Sequence, residues 1–251
     1  ALAIAQRSGQ GAPGERRPDM DFKVDLPADD ARLTALKQQA IRMVDSMSVF
    51  TQQMVDQIFS FGELGFQEEE TSKYLTGILE KNGFTVTRGV SGIPTAWVAI
   101  WRSPAGAKPV ISLGSDIDGI PQASNKPAVG YKDPLVVGAP GHGEGHNSGQ
   151  AVNITAALAV KKIMEREKMP GTIHLWPGVA EEQIGTKAYY VRDGIFKDVD
   201  AVLFSHVGTD LGVSWGQSGA LALISAEFAF KGTSSHAAGG PWRGRSALDS
   251  V

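Results

Sequence analysis

Apolar residues recur at helical spacing in the first part of the chain. From residue 28 to about 61 they return every three or four positions with charged residues between them, as at Ile41, Val44 and Ile58. This spacing predicts one packing helix, which ends at the segment 61–66, FGELGF. A second amphipathic helix is predicted over 68–82, with Gly83 as its C-cap.

Shorter apolar runs bounded by glycine and proline follow. They predict strands at 84–87, 95–101, 110–114, 171–177 and 199–205, the last of them buried. A long helix is predicted over 148–168 and a shorter one from about 185 to 194. His174 lies inside a predicted strand with no partner motif around it, so we interpret it as a structural histidine.

The composition narrows the classes of function. A chain of 251 residues with 42% hydrophobic residues can fill a core. Its net charge of −3 lacks the excess of positive charge that is typical of proteins that bind nucleic acid. The sequence contains no cysteine, which excludes disulfides and thiolate ligands, and no run approaches the roughly 20 apolar residues of a membrane span. We therefore predict a globular protein that binds neither nucleic acid nor membrane.

The first residues, ALAIAQ, are small and apolar, and the segment after them is polar and rich in glycine, proline and arginine. This pattern fits a signal-peptide remnant, which implies a periplasmic or secreted protein; otherwise a cytoplasmic location is expected. In either case we expect residues 1–25 to form a disordered N-terminal segment.

A glycine-rich stretch at 138–149, GAPGHGEGHNSG, places His142, Glu144 and His146 at alternate positions. In an extended backbone these side chains point the same way, which brings three metal-type donors to one face. Imidazole nitrogen and carboxylate oxygen suit zinc, manganese or another first-row ion better than calcium. The alternative is a flexible surface turn with incidental histidines.

More candidate donors follow the predicted strands. Asp116 and Asp118 come after 110–114, the pair Glu181 and Glu182 after 171–177, and His206 after 199–205. Open α/β sheets place their ligand sites at such strand ends. The alternatives are aspartates that cap a loop and glutamates that begin a helix. Together with the glycine-rich stretch, these residues supply enough donors for a dinuclear metallohydrolase site.

Four motifs occur in an order typical of a known family: SDIDGIP at 115–121, GHGEGHN at 141–147, VAEEQIGTKAYYVRDGIFKDVDAVLFSHVG at 179–208, and FKGTSSHAAGGPWRGRSALDSV at 230–251. In this combination the chain resembles the aminoacylase and carboxypeptidase-type metallopeptidases, and within them the amidohydrolase branch. The resemblance covers about residues 35–251.

The resemblance implies a role for each matching residue. The general base would be Glu181, the orienting carboxylate Asp118, and the lid histidine that reaches into a partner subunit's site and stabilises the oxyanion would be His236. Two divalent metal ions, zinc or manganese, would be held by Glu144, His146, Glu182 and His206.

The resemblance also implies the fold and the reaction. It implies an α/β fold with a mixed sheet flanked by helices, residues 26–216 being the metal-binding catalytic domain. Residues 217–251 would begin a smaller α/β lid and dimerisation domain, with a strand at 221–231 and a helix from about 245. The substrate would be an N-acyl amino acid or similar small amide, cleaved by a homodimer or as part of a heteromer.

Two features depart from the family pattern. Position 144 is typically cysteine in this branch, and here it is Glu144, so zinc and manganese are both compatible with the site. The family's chain also continues beyond the length seen here and supplies a further metal-binding histidine, so we expect an incomplete site.

Two alternative functions stay open: a non-catalytic metal- or ligand-binding subunit of a heteromeric hydrolase, and an ester or phosphoester hydrolase. No GxSxG motif supports a serine hydrolase.

Overall fold

The computed structural model describes residues 28–208, 212–213, 224 and 226–251. The predicted N-terminal segment, residues 1–25, lies outside the described residues. The chain divides into two compact units at residues 219–220. Among the described residues, no helix combines the length and the apolar character needed to cross a lipid bilayer.

The first predicted helix is in fact two helices, α1 (Ala31–Ser46) and α2 (Ser48–Phe61), separated by Met47. The Ser46 hydroxyl donates to the carbonyl oxygen of Met43 (2.7 Å), which is the oxygen that a continuous helix would offer to the Met47 amide. The Met47 amide instead donates to Val44 (2.9 Å), so the helix ends there. The next helix, α3 (Glu69–Lys81), agrees with the prediction.

Five strands form one mixed sheet: β1 (Thr85–Arg88), β2 (Trp97–Arg102), β3 (Val110–Asp116), β4 (Thr172–Gly178) and β5 (Ala201–Phe204). Their order across the sheet is β1-β2-β4-β3-β5. Strands β3, β4 and β5 run parallel, whereas β1 and β2 are each antiparallel to their neighbours. The α/β fold with a mixed sheet is therefore confirmed. The carboxyl ends of the three parallel strands meet at one edge of this sheet.

Helices cover this sheet. The long helix α4 (His146–Glu167) packs against β3 and β4, α1 and α2 pack on α4, and α3 packs against β1 and β2. The short helix α5 (Lys187–Arg192) contributes Tyr190, whose buried ring packs edge-on against Trp176 of β4. His174 is also buried, and its Nδ1 lies 3.0 Å from the Ser112 hydroxyl, which suits a structural histidine.

The strand predicted at 199–205 is present as β5, but the prediction that it is buried was wrong. The side chains of β5 are exposed, and Val202 and Leu203 keep 51% and 56% of their surface accessible. The physical reason is position, because among the described residues β5 is an edge strand that pairs only with β3. Composition alone does not tell an edge strand from a central one, so an apolar run does not by itself predict burial.

The described residues of the second unit include two short 3₁₀ turns, Pro241–Arg243 and Leu248–Ser250. The strand predicted at 221–231 is not seen over 226–231, and residues 221–223 and 225 lie outside the described residues. The helix predicted from about 245 is also not seen. Arg245 exchanges two backbone hydrogen bonds with Thr233 (both 2.9 Å), and this bridge occupies the Arg245 carbonyl oxygen, which a helix beginning there would use.

Candidate metal centre

The first turn of α4 lies against the carboxyl ends of β3 and β4. Gly145, in the left-handed conformation (φ 80°), turns the chain into the helix, and His146 is its first residue. The Gln150 side-chain amide donates to the carbonyl oxygens of Ser115 (3.1 Å) and Trp176 (2.7 Å). These buried hydrogen bonds hold His146 beside the strand ends.

His142 does not join the other donors of the glycine-rich stretch. The extended run expected at 142–146 is replaced by a turn at residues 143–144, followed by Gly145 and the helix. His142 Nε2 therefore lies 3.1 Å from the carbonyl oxygen of Ile58 in α2. Burial lowers the pKa of His142 to about 4, so this ring is neutral at pH 7.

Two groups of metal-type donors meet at the sheet edge. In one, ligand atoms of Asp116, His146 and His206 all lie within 4.8 Å of one another. In the other, the same is true of Glu144, His146 and Glu182. His146 belongs to both groups. The structure thus brings together all four residues that the resemblance implies as ligands, and it adds Asp116 to them.

His146 is held from both sides of its ring. Its Nδ1 lies 3.0 Å from the carbonyl oxygen of Asp118 and 3.5 Å from the Asp118 carboxylate. A carbonyl oxygen only accepts, so Nδ1 carries a hydrogen, and Nε2 faces His206 Nε2 at 3.1 Å. Burial alone would lower the pKa of His146, but the hydrogen bonds to Asp118 and the charges of Asp116 and Asp118 raise it to about 9. With Nδ1 bonded to Asp118 and Nε2 directed towards the other donors, the ring has the orientation that a ligating histidine needs.

The two neighbouring acids follow β4. The backbone amide of Glu182 donates to the Asp118 carboxylate (3.0 Å), so Asp118 holds both His146 and the acid pair. Burial and the nearby carboxyl of Glu144 raise the pKa of Glu182 to about 8. Burial also raises the pKa of Glu181. The two carboxyl groups therefore hold protons more tightly than exposed glutamates do.

Lys187 is a site residue that sequence reasoning missed. Its ammonium group donates to both carboxylate oxygens of Asp116 (2.7 and 2.9 Å) and lies 4.0 Å from Glu181 Oε1. The partners are 71 residues apart in the chain, and a single lysine at the start of a helix gives no sequence signal. Asp116 was among the candidate donors, but its pairing required the fold.

The donor set fits a divalent cation. Its atoms are imidazole nitrogens and carboxylate oxygens, which first-row ions accept. One oxygen of the donor groups, Glu182 Oε1, is buried without a hydrogen-bond partner among the residues that the structure describes. Burying an oxygen without a hydrogen-bond partner costs free energy. The carboxyl group of Glu182 belongs to one of the donor groups, so Oε1 is placed to bind an ion. A bound cation would satisfy it.

His236 lies in the second unit. Its Nδ1 accepts hydrogen bonds from the backbone amides of Ala238 (3.2 Å) and Gly239 (2.9 Å), which closes a local turn. These contacts leave Nε2 as the ring nitrogen that can act on a ligand.

Known proteins resemble this chain in sequence and fold. It is 38% identical to a subunit of p-aminobenzoyl-glutamate hydrolase from Escherichia coli over 198 residues, which cover 79% of this chain and 40% of that protein. It is 27% identical to IAA-amino acid hydrolase ILR1-like 5 of Arabidopsis thaliana, over 75% of this chain and 41% of that protein. The predicted family resemblance is confirmed. The chain is related in sequence to the amidohydrolase branch of the aminoacylase and carboxypeptidase-type metallopeptidases.

A solved structure agrees with this relationship at the level of the fold. A dinuclear metal-binding peptidase of the M20 family from Bacillus subtilis superposes with a TM-score of 0.52 and 23% identity, over 70% of this chain and 45% of that one. The chain spans less than half the length of these relatives. No model of a protein family matches it.

Proposed function

We propose that this chain forms the metal-binding part of an amidohydrolase that cleaves small amides with water. The observation that carries the proposal is the pair of donor groups that share His146 at the carboxyl edge of the parallel strands. Relatives named as hydrolases of amino-acid conjugates support it. In this proposal residues 26–216 are the catalytic domain, and residues 217–251 begin the lid and dimerisation domain.

Each residue has a defined task in this proposal. Two divalent ions, zinc or manganese, would polarise the amide carbonyl and lower the pKa of the attacking water. Glu181 takes the proton of that water and returns it to the leaving amine. Asp118 keeps the ring of His146 in its orientation. The residues that hold the ions are Glu144, His146, Glu182 and His206.

The second unit contributes His236 in this proposal. In a homodimer its imidazole would reach the partner subunit's site and stabilise the oxyanion that forms on the carbonyl. The substrate class is an N-acyl amino acid or a related small amide, with p-aminobenzoyl-glutamate and IAA-amino acids as the first to be assayed, after the names of the relatives.

The first experiment measures metal per chain by elemental analysis of protein purified without chelators. About one equivalent of zinc or manganese, or more, is expected. Hydrolysis of a panel of N-acyl amino acids, esters and phosphoesters then tests the reaction, and we expect turnover of amides. Turnover of phosphoesters alone would refute the proposal.

A second candidate function is a metal-binding subunit of a heteromeric hydrolase. It is favoured by the name of the Escherichia coli relative, which is one subunit of its hydrolase. Metal binding without amide turnover by this protein alone, followed by turnover after a second subunit is added, would decide for it.

A further inference from the structure

Glu68 is a buried glutamate outside the donor groups. It directly precedes α3, and no part of its surface is accessible. Its Oε1 accepts a hydrogen bond from the backbone amide of Ala180 (2.7 Å), and its Oε2 accepts one from the Thr95 hydroxyl (2.8 Å). A carboxylate buried without a cation must have such donors, and one of these two belongs to the residue directly before the acid pair.

Ala180 occupies an unusual backbone conformation. It lies between β4 and Glu181 with φ 49°, in the left-handed region that L-residues other than glycine rarely adopt. Its carbonyl oxygen accepts the amides of Gln183 (3.2 Å) and Ile184 (2.9 Å), which makes it the start of a tight turn. A turn with an alanine in this conformation persists only where surrounding contacts hold it.

The segment before Glu68 supports the same turn. A side chain at Gly65 would place its Cβ 2.6 Å from Ala180 Cα, so only glycine allows this approach. The Gln183 side-chain amide donates to the Gly65 carbonyl oxygen (3.2 Å). On the other side, the carbonyl oxygen of Glu63 accepts the Gly119 amide (2.7 Å), next to Asp118. One connecting segment thus contacts both strand ends that carry carboxylates of the site.

We propose that Glu68 is a positioning residue for the acid pair: its carboxylate holds the Ala180 turn and thereby sets the direction of Glu181 and Glu182. This inference rests on the proposed function for its effect on turnover. Glu68 contacts Ala180 and Thr95 rather than the donor atoms, so it acts through the backbone. Burial raises the pKa of Glu68, and both of its partners act as donors towards the carboxylate.

The test compares two substitutions at Glu68 with a matched substitution at Glu63. In E68M the side chain keeps its length and loses both acceptors, whereas in E68Q the amide oxygen still accepts from Ala180. Glu63 lies five positions earlier, and its carboxylate accepts the amides of Glu70 and Thr71 (both 2.9 Å) at the start of α3. E63M therefore removes side-chain hydrogen bonds at the start of α3, and it keeps both hydrogen bonds of Glu68 and the Glu63 carbonyl oxygen that accepts from Gly119.

We expect E68M to lower kcat by about 100-fold with KM little changed, because small displacements of catalytic groups cost rate of that order. E68Q should keep most of the activity. E63M should lower Tm and leave kcat near wild type. The inference is overturned if E68M lowers Tm and keeps wild-type kcat, or if E68Q is as inactive as E68M.

A second measurement separates this inference from the proposed function. Residue-resolved hydrogen exchange of the 251-residue chain reports directly on the Ala180 amide. We expect this amide to be protected in wild type, E68Q and E63M, and to exchange at least about tenfold faster in E68M. Wild-type protein without amide turnover would refute the proposed function alone. Equal exchange of Ala180 in all four proteins would refute the role of Glu68.

Discussion

Glu181 and Glu182 are adjacent in the chain, but their carboxyl groups meet different neighbours. Glu181 lies 4.0 Å from the Lys187 ammonium group, and it belongs to neither donor group. Glu182 belongs to the group that contains Glu144 and His146. This difference suits a division of labour, in which Glu181 moves the proton and Glu182 binds the ion.

Substitution of the two acids tests that division. Glu181→Gln should lower kcat by about 10²–10⁴-fold, the usual contribution of a general base, while metal content stays near wild type. Glu182→Gln should release metal, because it removes a carboxylate from a donor group. Elemental analysis and steady-state kinetics on both variants provide the measurement. Metal loss in the Glu181 variant with metal retention in the Glu182 variant would reverse the assignment.

The raised pKa values of His146 and Glu182 predict how metal uptake depends on pH. The pKa is about 9 for His146 and about 8 for Glu182, so both groups carry a proton at pH 7 in the metal-free protein. A cation binds their deprotonated forms, and binding must displace about two protons. Apparent affinity should therefore rise with pH and level off above about pH 9.

Calorimetric titration with zinc in two buffers of different ionisation enthalpy counts these protons. About two protons released per ion at pH 7 is the expected result. Uptake without proton release at pH 7 would contradict the ligand roles of both residues.

Sequence reasoning found most of the residues at the site but not their partners. Glu144, His146, Glu182 and His206 are recognisable because donor types cluster in motifs, although their ligand roles stay predictions. His142 shared the same pattern and proved to lie elsewhere, since alternation assumes an extended backbone that Gly145 interrupts. Lys187 and Glu68 act on residues 71 and 112 positions away, which no local pattern reveals.

At the scale of elements, the start of α4 depends on Gly145. This residue has φ 80°, and an added Cβ would lie 2.7 Å from Val207 Cγ1, beside His206. Gly92 has a similar conformation (φ 73°) with no atom near its added Cβ. A side chain at Gly92 would therefore add backbone strain alone, whereas one at Gly145 would add the same strain and a contact beside the site.

Alanine at each position distinguishes these effects. Gly92→Ala should cost about 1–2 kcal/mol of unfolding free energy, the usual cost of a left-handed non-glycine residue. Gly145→Ala should cost more than this and also reduce metal content, because Val207 and then His206 must shift. Urea unfolding and elemental analysis measure both quantities. Equal losses of stability with full metal content in both variants would show that the start of α4 tolerates a side chain.

The elements that sequence reasoning placed well have a strong periodic pattern. Helices α3 and α4 and strands β3 and β4 lie within two residues of their predicted bounds. The errors concern features that periodicity does not encode. The break at Met47 is confined to a single residue, and the exposure of β5 depends on its place in the sheet order.

For the molecule as a whole, buried His174 links stability to pH. Burial and the charge of Arg102 lower its pKa to about 4, whereas an unfolded histidine titrates near 6.5. Between about pH 4 and 6.5 His174 is mostly protonated in the unfolded chain and neutral in the folded protein. The free energy of unfolding therefore falls as the pH falls below about 6.5. From pH 6.5 to 5 the loss should be about 2 kcal/mol. Above about pH 7.5 this residue adds almost no pH dependence.

His174→Gln provides the matched comparison, because the glutamine oxygen can still accept from the Ser112 hydroxyl. We expect a shallower fall of unfolding free energy between pH 6.5 and 5 in this variant, measured by urea unfolding at several pH values. Parallel curves for the two proteins would mean that His174 is protonated in the folded state.

The first unit carries both donor groups, the second carries His236, and the chain spans 40% of the length of its Escherichia coli relative. The α/β fold of the first unit was predictable because the chain carries four motifs in an order typical of a known family. The strand and helix expected in the second unit were not seen in its described residues. The Thr233–Arg245 bridge, a contact between residues far apart in sequence, opposes the local pattern there.

The donor atoms converge from distant parts of the chain, and this sets an order of events during biosynthesis. His146 and His206 are 60 residues apart: His146 begins α4, and His206 follows β5. Their imidazoles meet only after β3, β4 and β5 have paired and α4 has docked, which are slow non-local steps. An ion cannot nucleate such a fold as it does in a small zinc finger. An ion bound at this site would therefore enter a polypeptide that has already folded.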